Sequence, residues 1–255
     1  MTRLSACVEM IYRELPLEER IARVAAAGLP AFEFWSWTNK DLAAIARAKA
    51  EHHLAVSSFA YASPGAIVDP ANHAAFLQHF DGVVTAADTL DCRTVIVTVG
   101  QQLAGVGREQ QHAAIVNALR GLAPRAQQHG VTIVVEPLNI LINHKGYFLS
   151  TSEESFQIID EVGSPAIKVL FDVYHQQITE GNLINNITTF FDKIGHFHIA
   201  DNPGRNEPGT GEINYANVLR TIDDLGYSGY IGLEYRPKND ADASLQQTKA
   251  IAGLA

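Results

Sequence analysis

The chain has 255 residues, 47% of them hydrophobic and 18% charged, with a formal net charge of −9 at pH 7. These proportions suit a globular protein with a sizeable core, and no apolar run approaches the roughly 18 residues of a membrane-spanning helix. The acidic balance speaks against a nucleic-acid partner, which calls for a basic face. The two cysteines, Cys7 and Cys92, lie far apart in apolar stretches. They are too few for a disulfide framework and too separated for a thiolate metal site, so they read as buried fillers. Met1-Thr2-Arg3-Leu4 leads into a strand-like stretch and acidic Glu9, without a secretory apolar region and cleavage site. The expected compartment is the cytoplasm.

Along the chain a short apolar, often β-branched run is followed again and again by a helical pattern. The first strand is read at Leu4–Val8, followed by a helix over Leu17–Ala27 that stops at Gly28. Strands follow at Ala31–Phe34, Ala55–Ala60 and Thr94–Val99, then a helix over Gln111–His129 closed by Gly130. Val131–Glu136 is the fifth strand, and Ser152, followed by acidic Glu153, opens another helix. Ile167–Asp172, Ile194–Ala200, a helix over Asn217–Leu225 stopped by Gly226, and Tyr230–Glu234 complete the series. About eight strand-then-helix repeats point to parallel strands in a barrel or a doubly wound sheet. A (β/α)₈ barrel needs about 250 residues as one unit, and no linker or low-complexity stretch invites a cut. The expected architecture is therefore α/β, a single (β/α)₈ TIM-barrel domain over residues 1–255.

No G-x-G-x-x-G or Walker pattern follows a strand, and Gly209-Thr210-Gly211 reads as a tight turn rather than a nucleotide loop. H-E-x-x-H and G-x-S-x-G are absent as well, which removes zincin and α/β-hydrolase readings. Informative polar residues fall instead at strand ends. Ile133-Val134-Val135 ends in Glu136, Val169-Leu170-Phe171 in Asp172 with His175 just beyond, Ile194 to Phe197 in His198, and Ile231-Gly232-Leu233 in Glu234.

In a barrel the C-terminal strand ends carry function. Adjacent strands lie about 4.8 Å apart, so end residues of neighbouring strands can converge on one ion. Any one of these residues has a plain alternative. Asp172 could cap the next helix, and His196, two residues before His198 and on the same strand face, could be a satisfied core histidine one layer deeper. Four successive strands ending this way are harder to explain by capping. Three carboxylates at one mouth repel and need a cation to stay ionised. Three carboxylates and one imidazole suit Mn²⁺ or Mg²⁺, with Co²⁺ or Zn²⁺ also accommodated.

Longer stretches around these residues carry a family resemblance. Glu136-Pro137-Leu138-Asn139, Phe171-Asp172-Val173-Tyr174-His175, Ala31-Phe32-Glu33-Phe34-Trp35 and the run GHFHIADNPGRNEPGTGEINY from Gly195 to Tyr215 resemble the xylose isomerase-like TIM-barrel superfamily. Within it the hydroxypyruvate isomerase family is the nearest match, over nearly all of the chain from Leu4 to Pro237. The resemblance implies a divalent metal held by Glu136, Asp172, His198 and Glu234, with Glu136 and Glu234 doubling as the acid/base pair. It also implies that His175 and Arg205 contact a small hydroxy-carbonyl substrate. Many hydroxypyruvate isomerases carry glutamine at the position of His198, whereas related ketose 3-epimerases carry histidine. Arg205 favours the hydroxypyruvate side, since a guanidinium can clamp a carboxylate through two hydrogen bonds.

The expected chemistry is isomerisation of hydroxypyruvate to tartronate semialdehyde (2-hydroxy-3-oxopropanoate) through a cis-enediolate, with the ion stabilising the developing charge. The alternative is a ketose 3-epimerase using the same site. An endonuclease IV-like hydrolase and a non-catalytic sugar-binding barrel are the minor readings. The expected partner is a small molecule, with neither nucleic acid nor membrane, in a chain that can self-associate. Trp35, Trp37, Phe59 and Tyr61 are candidates for an apolar lid, and Glu212 for a residue that orients Arg205 or its loop. Glu33, in the middle of a strand, needs a buried partner, for which Arg3 or a histidine is available.

Overall fold

The computed structural model describes residues 2–254. Eight strands run β1 (Leu4–Cys7), β2 (Ala31–Ser36), β3 (Ala55–Ala60), β4 (Thr94–Val97), β5 (Thr132–Val135), β6 (Ile167–Asp172), β7 (Ile194–Ile199) and β8 (Ile231–Leu233). Each pairs with its successor in parallel, and β8 returns to β1, so the sheet closes into a barrel. The (β/α)₈ expectation therefore holds.

Helices α1 (Leu17–Ala26), α2 (Leu42–Glu51), α3 (His73–Leu90), α4 (Arg108–Gln128) and α5 (Ser152–Val162) make the first crossovers. Between β6 and β7 the chain forms two short helices, α6 (Val173–Thr179) and α7 (Leu183–Thr189), and then α8 (Tyr215–Asp224) and α9 (Ala241–Ile251) finish the ring. Asp41, Thr151 and Asp240 cap α2, α5 and α9 by accepting from the third backbone N–H beyond them. Gly28 and Gly130 follow α1 and α4 with φ of +74° and +63°, a conformation only glycine adopts freely, so both helices end where the sequence places their stop. Helix α4 begins at Arg108, three residues before the expected Gln111. Gln111 instead turns inward, and its side chain bonds both Leu103 N–H and Val106 C=O, pinning the loop that enters the helix. Among the described residues no helix is long and apolar enough to cross a membrane.

Two apolar assemblies follow from the alternation of side chains along the strands. The large one fills the space between barrel and helices, with Phe32, Phe34, Phe59, Val95, Val97, Phe171 and Phe197 facing the helical ring. A small separate cluster of Ile96, Val134 and Leu170 lies on the opposite strand face, inside the barrel. On the β1–β3 and β7 side the interior is polar instead. Ser5, Glu33, Ser57 and His196 are all buried there. Cys7 and Cys92 are both buried and free, as their surroundings in the sequence suggest.

Candidate active site

The strands aim the predicted ligands at one point. Glu136 stands one residue beyond β5, its N–H still bonded to Val97 C=O at 3.1 Å, and Glu234 one residue beyond β8, its N–H bonded to Ile199 C=O at 3.2 Å. Asp172 and His198 are in register as the last pairing of β6 with β7, and His198 pairs in turn with Gly232. One donor atom from each of Glu136, Asp172, His198 and Glu234 lies within 4.8 Å of every other, and all four residues are buried. Sequence order along four neighbouring strands thus becomes an arc around one centre.

Both ring nitrogens of His198 and one oxygen of Glu136 are buried without a hydrogen bond, and two of these three atoms face the centre. His198 Nδ1 is buried and makes no hydrogen bond, lying 3.4 Å from Glu234 Oε2 and 3.8 Å from Glu136 Oε1. Glu136 Oε1 is buried without a partner as well. Orphaned buried acceptors are costly, and a shared cation is what satisfies carboxylate oxygens and an imidazole nitrogen together. The residues present fit a hard divalent ion.

Asp172 is placed to cap a helix and still face the cluster. Its Oδ1 caps α6, accepting from Tyr174 N–H at 2.8 Å and His175 N–H at 3.2 Å, while Oδ2 turns toward the centre. The cap also fixes His175 at the start of α6. Asn139 donates to His175 Nδ1 from its backbone at 3.2 Å and from its side chain at 2.6 Å. Nδ1 is therefore the acceptor, and in the neutral ring Nε2 carries the proton. Burial holds His175 at about 4, so the ring is neutral at physiological pH, and the buried Nε2–H makes no hydrogen bond. It lies 3.6 Å from Asp172 Oδ2, on a residue that lines the cavity.

Arg205 sits in the loop after β7, with a backbone φ of 55°. Asp201 organises that loop, its carboxylate accepting from the N–H groups of Asn202, Gly209, Thr210 and Ile213. Gly211 cannot carry a side chain here, because a Cβ would lie 2.2 Å from Asn202 C=O. This is the physical content of the R-N-E-P-G-T-G-E run: a rigid cradle that presents one guanidinium. Arg205 Nη2 pairs with Glu234 and lies 3.9 Å from Asp172 Oδ2, while its buried Nε has no partner.

The two glutamates sit in unlike fields. Burial, then the like charges of Glu234 and Asp172, push the Glu136 carboxyl up to about 8. Burial acts on Glu234 in the same direction, but Arg205, then His198 and the Trp35 indole, outweigh it and hold that carboxyl well below the usual range. His198 is burdened by burial too, yet Glu33 and Glu234 raise it well above the ordinary imidazole value.

A cavity of about 320 Å³ opens over the centre, lined by Trp35, Leu138, His144, His175, Arg205 and both glutamates among others. It is small enough for a compound of a few carbons. Of the proposed aromatic lid only Trp35 belongs here, 44% exposed and donating from Nε1 to Glu234 Oε1 at 2.8 Å. Phe59 is buried against Phe34, Tyr61 is buried with its hydroxyl on Phe76 C=O, and Trp37 packs on His79. Period-two alternation sends Phe34 and Phe59 outward to the helices, away from the mouth. Glu212 accepts from Asn202 and Gln177 side chains, so it braces the loop and does not touch Arg205.

Two contributors went unread in the sequence. Asn139 orients His175, and His144 lines the cavity with its ring 5.2 Å from that of His175. Asn139 closes the Glu136-Pro137-Leu138-Asn139 motif, which was the available signal. His144 lies in an irregular loop with no periodicity to reveal its direction.

Comparison with known proteins places this geometry in a family. The family model described as xylose isomerase-like TIM barrel matches residues 21–251. The chain belongs to that family. Among its curated relatives, the hydroxypyruvate isomerase of Escherichia coli K12 is 32% identical over 253 residues, covering 96% of this chain and 98% of the relative. The 2-oxo-tetronate isomerase of Cupriavidus necator is 33% identical over 261 residues, covering 99% of this chain and all of the relative. A solved family structure from Brucella melitensis, titled AP endonuclease, family 2, superposes with a TM-score of 0.93 at 29% identity, covering 98% of this chain and 99% of that one. With isomerases among its full-length relatives, this member of the family is an isomerase enzyme.

Proposed function

We propose that the protein isomerises hydroxypyruvate to tartronate semialdehyde (2-hydroxy-3-oxopropanoate), with Glu136 and Glu234 moving the proton. One divalent ion, Mn²⁺ or Mg²⁺ by its donor set, would be held by Glu136, Asp172, His198 and Glu234. The observation that carries this reading is the four-residue arc itself: two buried glutamates at its ends, with a free guanidinium edge beside one of them. When bound, the ion would supply Lewis-acid polarisation of neighbouring carbonyl and hydroxyl oxygens, which acidifies the C–H of the hydroxyl-bearing carbon.

The chain's own groups do the rest. The unpaired Nε edge of Arg205 offers a charge-assisted hydrogen bond to the substrate carboxylate. The His175 Nε2–H holds a substrate oxygen by a neutral hydrogen bond. One glutamate takes the proton from the hydroxyl-bearing carbon, giving an enediolate. The same or the opposite glutamate returns it to the former carbonyl carbon, while a hydroxyl proton crosses between the two oxygens. Atoms and oxidation state balance without a co-reactant. Trp35 and Leu138 shield the cavity walls from water.

A second substrate is supported by a specific observation. The relative matching this chain end to end is named for 2-oxo-tetronate, which keeps the same 2-oxo acid and adds one hydroxymethyl group. A free ketose offers no carboxylate to Arg205, so epimerisation ranks lower. An endonuclease role, carried only by the printed title of the Brucella structure, conflicts with the net charge of −9.

Deuterium uptake in D₂O, followed by NMR with hydroxypyruvate, 2-oxo-tetronate and free ketoses in Mg²⁺ or EDTA, tests this reading. Metal-dependent exchange beside the carbonyl is expected with the two acids and not with the ketoses. A folded protein that exchanges none of them would overturn the proposed chemistry.

A further inference from the structure

Glu33 is a charged residue in the middle of an inner strand, and its surroundings show what it is for. It is 2% exposed and stands on β2 below the mouth. Arg3 plays no part with it. That side chain bonds Ser228 C=O and stacks on Tyr230 at the protein surface. One oxygen of Glu33, Oε2, accepts from Ser57 Oγ at 3.1 Å, Ser58 Oγ at 3.0 Å and His196 Nε2 at 3.1 Å. The other, Oε1, lies 3.0 Å from His198 Nε2, at ion-pair distance though angled away from an ideal hydrogen bond.

That second contact is the informative one. An imidazole has two nitrogens, and the partner of one decides which face the other presents. With Nε2 on the carboxylate of Glu33, His198 turns Nδ1 toward Glu136 and Glu234. Gly232, paired with His198 across β7 and β8, makes room for this arrangement. A Cβ on it would lie 2.3 Å from Glu33 Oε1 and 2.6 Å from His198 Cδ2.

We infer that Glu33 is a positioning residue for the cation site: held by Ser57, Ser58 and His196, it orients His198 from below so that Nδ1 faces the centre. This rests on the reading of His198 as a ligand given above. Glu33, His196 and His198 could also be taken as three ligands of a second ion, since their donor atoms lie within 4.8 Å of one another. Three donors already occupy Oε2, and Oε1 faces His198 Nε2 at 3.0 Å, so each Glu33 oxygen already has a neighbour within the protein.

The test uses the full-length protein, Mn²⁺ titration by calorimetry, and ring ¹⁵N NMR of histidine-labelled, Mg²⁺-loaded protein. Wild type is expected to bind one equivalent and show His198 protonated on Nε2. Glu33→Gln, which keeps the shape and removes the charge, should weaken Mn²⁺ binding by about 10- to 100-fold and shift both His198 ring nitrogens. Gly232→Ala, which pushes the carboxylate aside and alters no charged group, should reproduce both changes, so the inference survives if one variant fails to fold. Unchanged affinity and unchanged His198 shifts in the folded variants would overturn it. Two equivalents in wild type, falling to one in Glu33→Gln, would replace it with a second metal site. No Mn²⁺ binding by wild type would instead count against the metal site itself.

Discussion

The two ends of the ligand arc differ more than their shared strand-end placement suggests. On the β8 side, Glu234 meets Arg205, Trp35 Nε1–H and His198, three partners that favour its charged form. On the β5 side, the hydrogen bonds of Glu136 are to its backbone: Val97 C=O accepts from its N–H and Tyr147 donates to its C=O at 3.0 Å. Its Oε1 accepts no hydrogen bond and has only the longer contact to His198 Nδ1, at 3.8 Å. The cause is topological. The long loop after β7 folds back over β8 and brings a cation, whereas the loop after β5 is tied down by Tyr147 and Asn139 and brings none. Equal residue types at equal strand positions are thus made unequal by the loops above them, as expected where one fold hosts acid and base roles together.

The strongest way to break this contrast is to neutralise each end in turn. Glu234→Gln and Glu136→Gln should each lower kcat/KM by about 10²- to 10⁴-fold, the range of a lost proton-transfer group. Steady-state kinetics with hydroxypyruvate measures this. If one variant kept near-normal turnover, that glutamate would not be part of the proton path. Next comes Arg205→Lys, which keeps the charge and loses the fork. A charge-assisted hydrogen bond is worth about 1.5–3 kcal/mol, so KM for the acid substrate should rise by roughly 10- to 100-fold. An unchanged KM would separate Arg205 from the substrate carboxylate.

The same contrast has a pH signature in chelator-treated protein. Glu136 titrates at about 8 in the fold against 4.5 as its ordinary value, so between these values the folded chain holds a proton that the unfolded chain has released. Its contribution to stability is present below about 4.5 and is lost progressively as pH rises through 8. Melting of the EDTA-treated protein should therefore fall by several degrees from pH 6 to pH 8.5, at about 2–4 °C per kcal/mol. Added Mg²⁺ should remove most of that fall, because a bound cation favours the ionised carboxylate. A flat melting profile in EDTA would mean that Glu136 is not held protonated.

Much of this was legible in the sequence, for reasons particular residues make plain. Apolar runs ending in Glu136, Asp172, His198 and Glu234 had to bring these side chains to one rim once the barrel closed, because parallel strands share a direction. His196 had to face the same way as His198 and lie deeper, because strand side chains repeat every two residues. What stayed hidden depends on loops and on long-range pairs. Phe59 follows strand alternation outward onto Phe34, but Tyr61 lies past the end of β3, where its direction is set by packing against Phe76 and no local pattern encodes it. Glu33 meets its histidines across 163 and 165 positions of chain, so the sequence poses the question of its partner and only closure of the barrel answers it. His144 and Asn139 come from a loop whose path is fixed by hydrogen bonds to His175 and Asn143.

The smallest expected effect isolates one hydrogen bond on the β8 side. Trp35 is 44% exposed, so replacing it by phenylalanine removes the Nε1–H donor to Glu234 with little loss of buried surface. A hydrogen bond to a carboxylate at this partly wet position should contribute about 1 kcal/mol, or roughly a fivefold change in kcat/KM. The loss should be smaller than that of Arg205→Lys, because Arg205 supplies charge as well as a donor. Measuring both single variants and the double variant decides whether the two partners act on Glu234 independently. Additive losses would mean that each polarises the carboxylate alone. A double variant no worse than Arg205→Lys would mean that Trp35 matters only while Arg205 holds Glu234 in place.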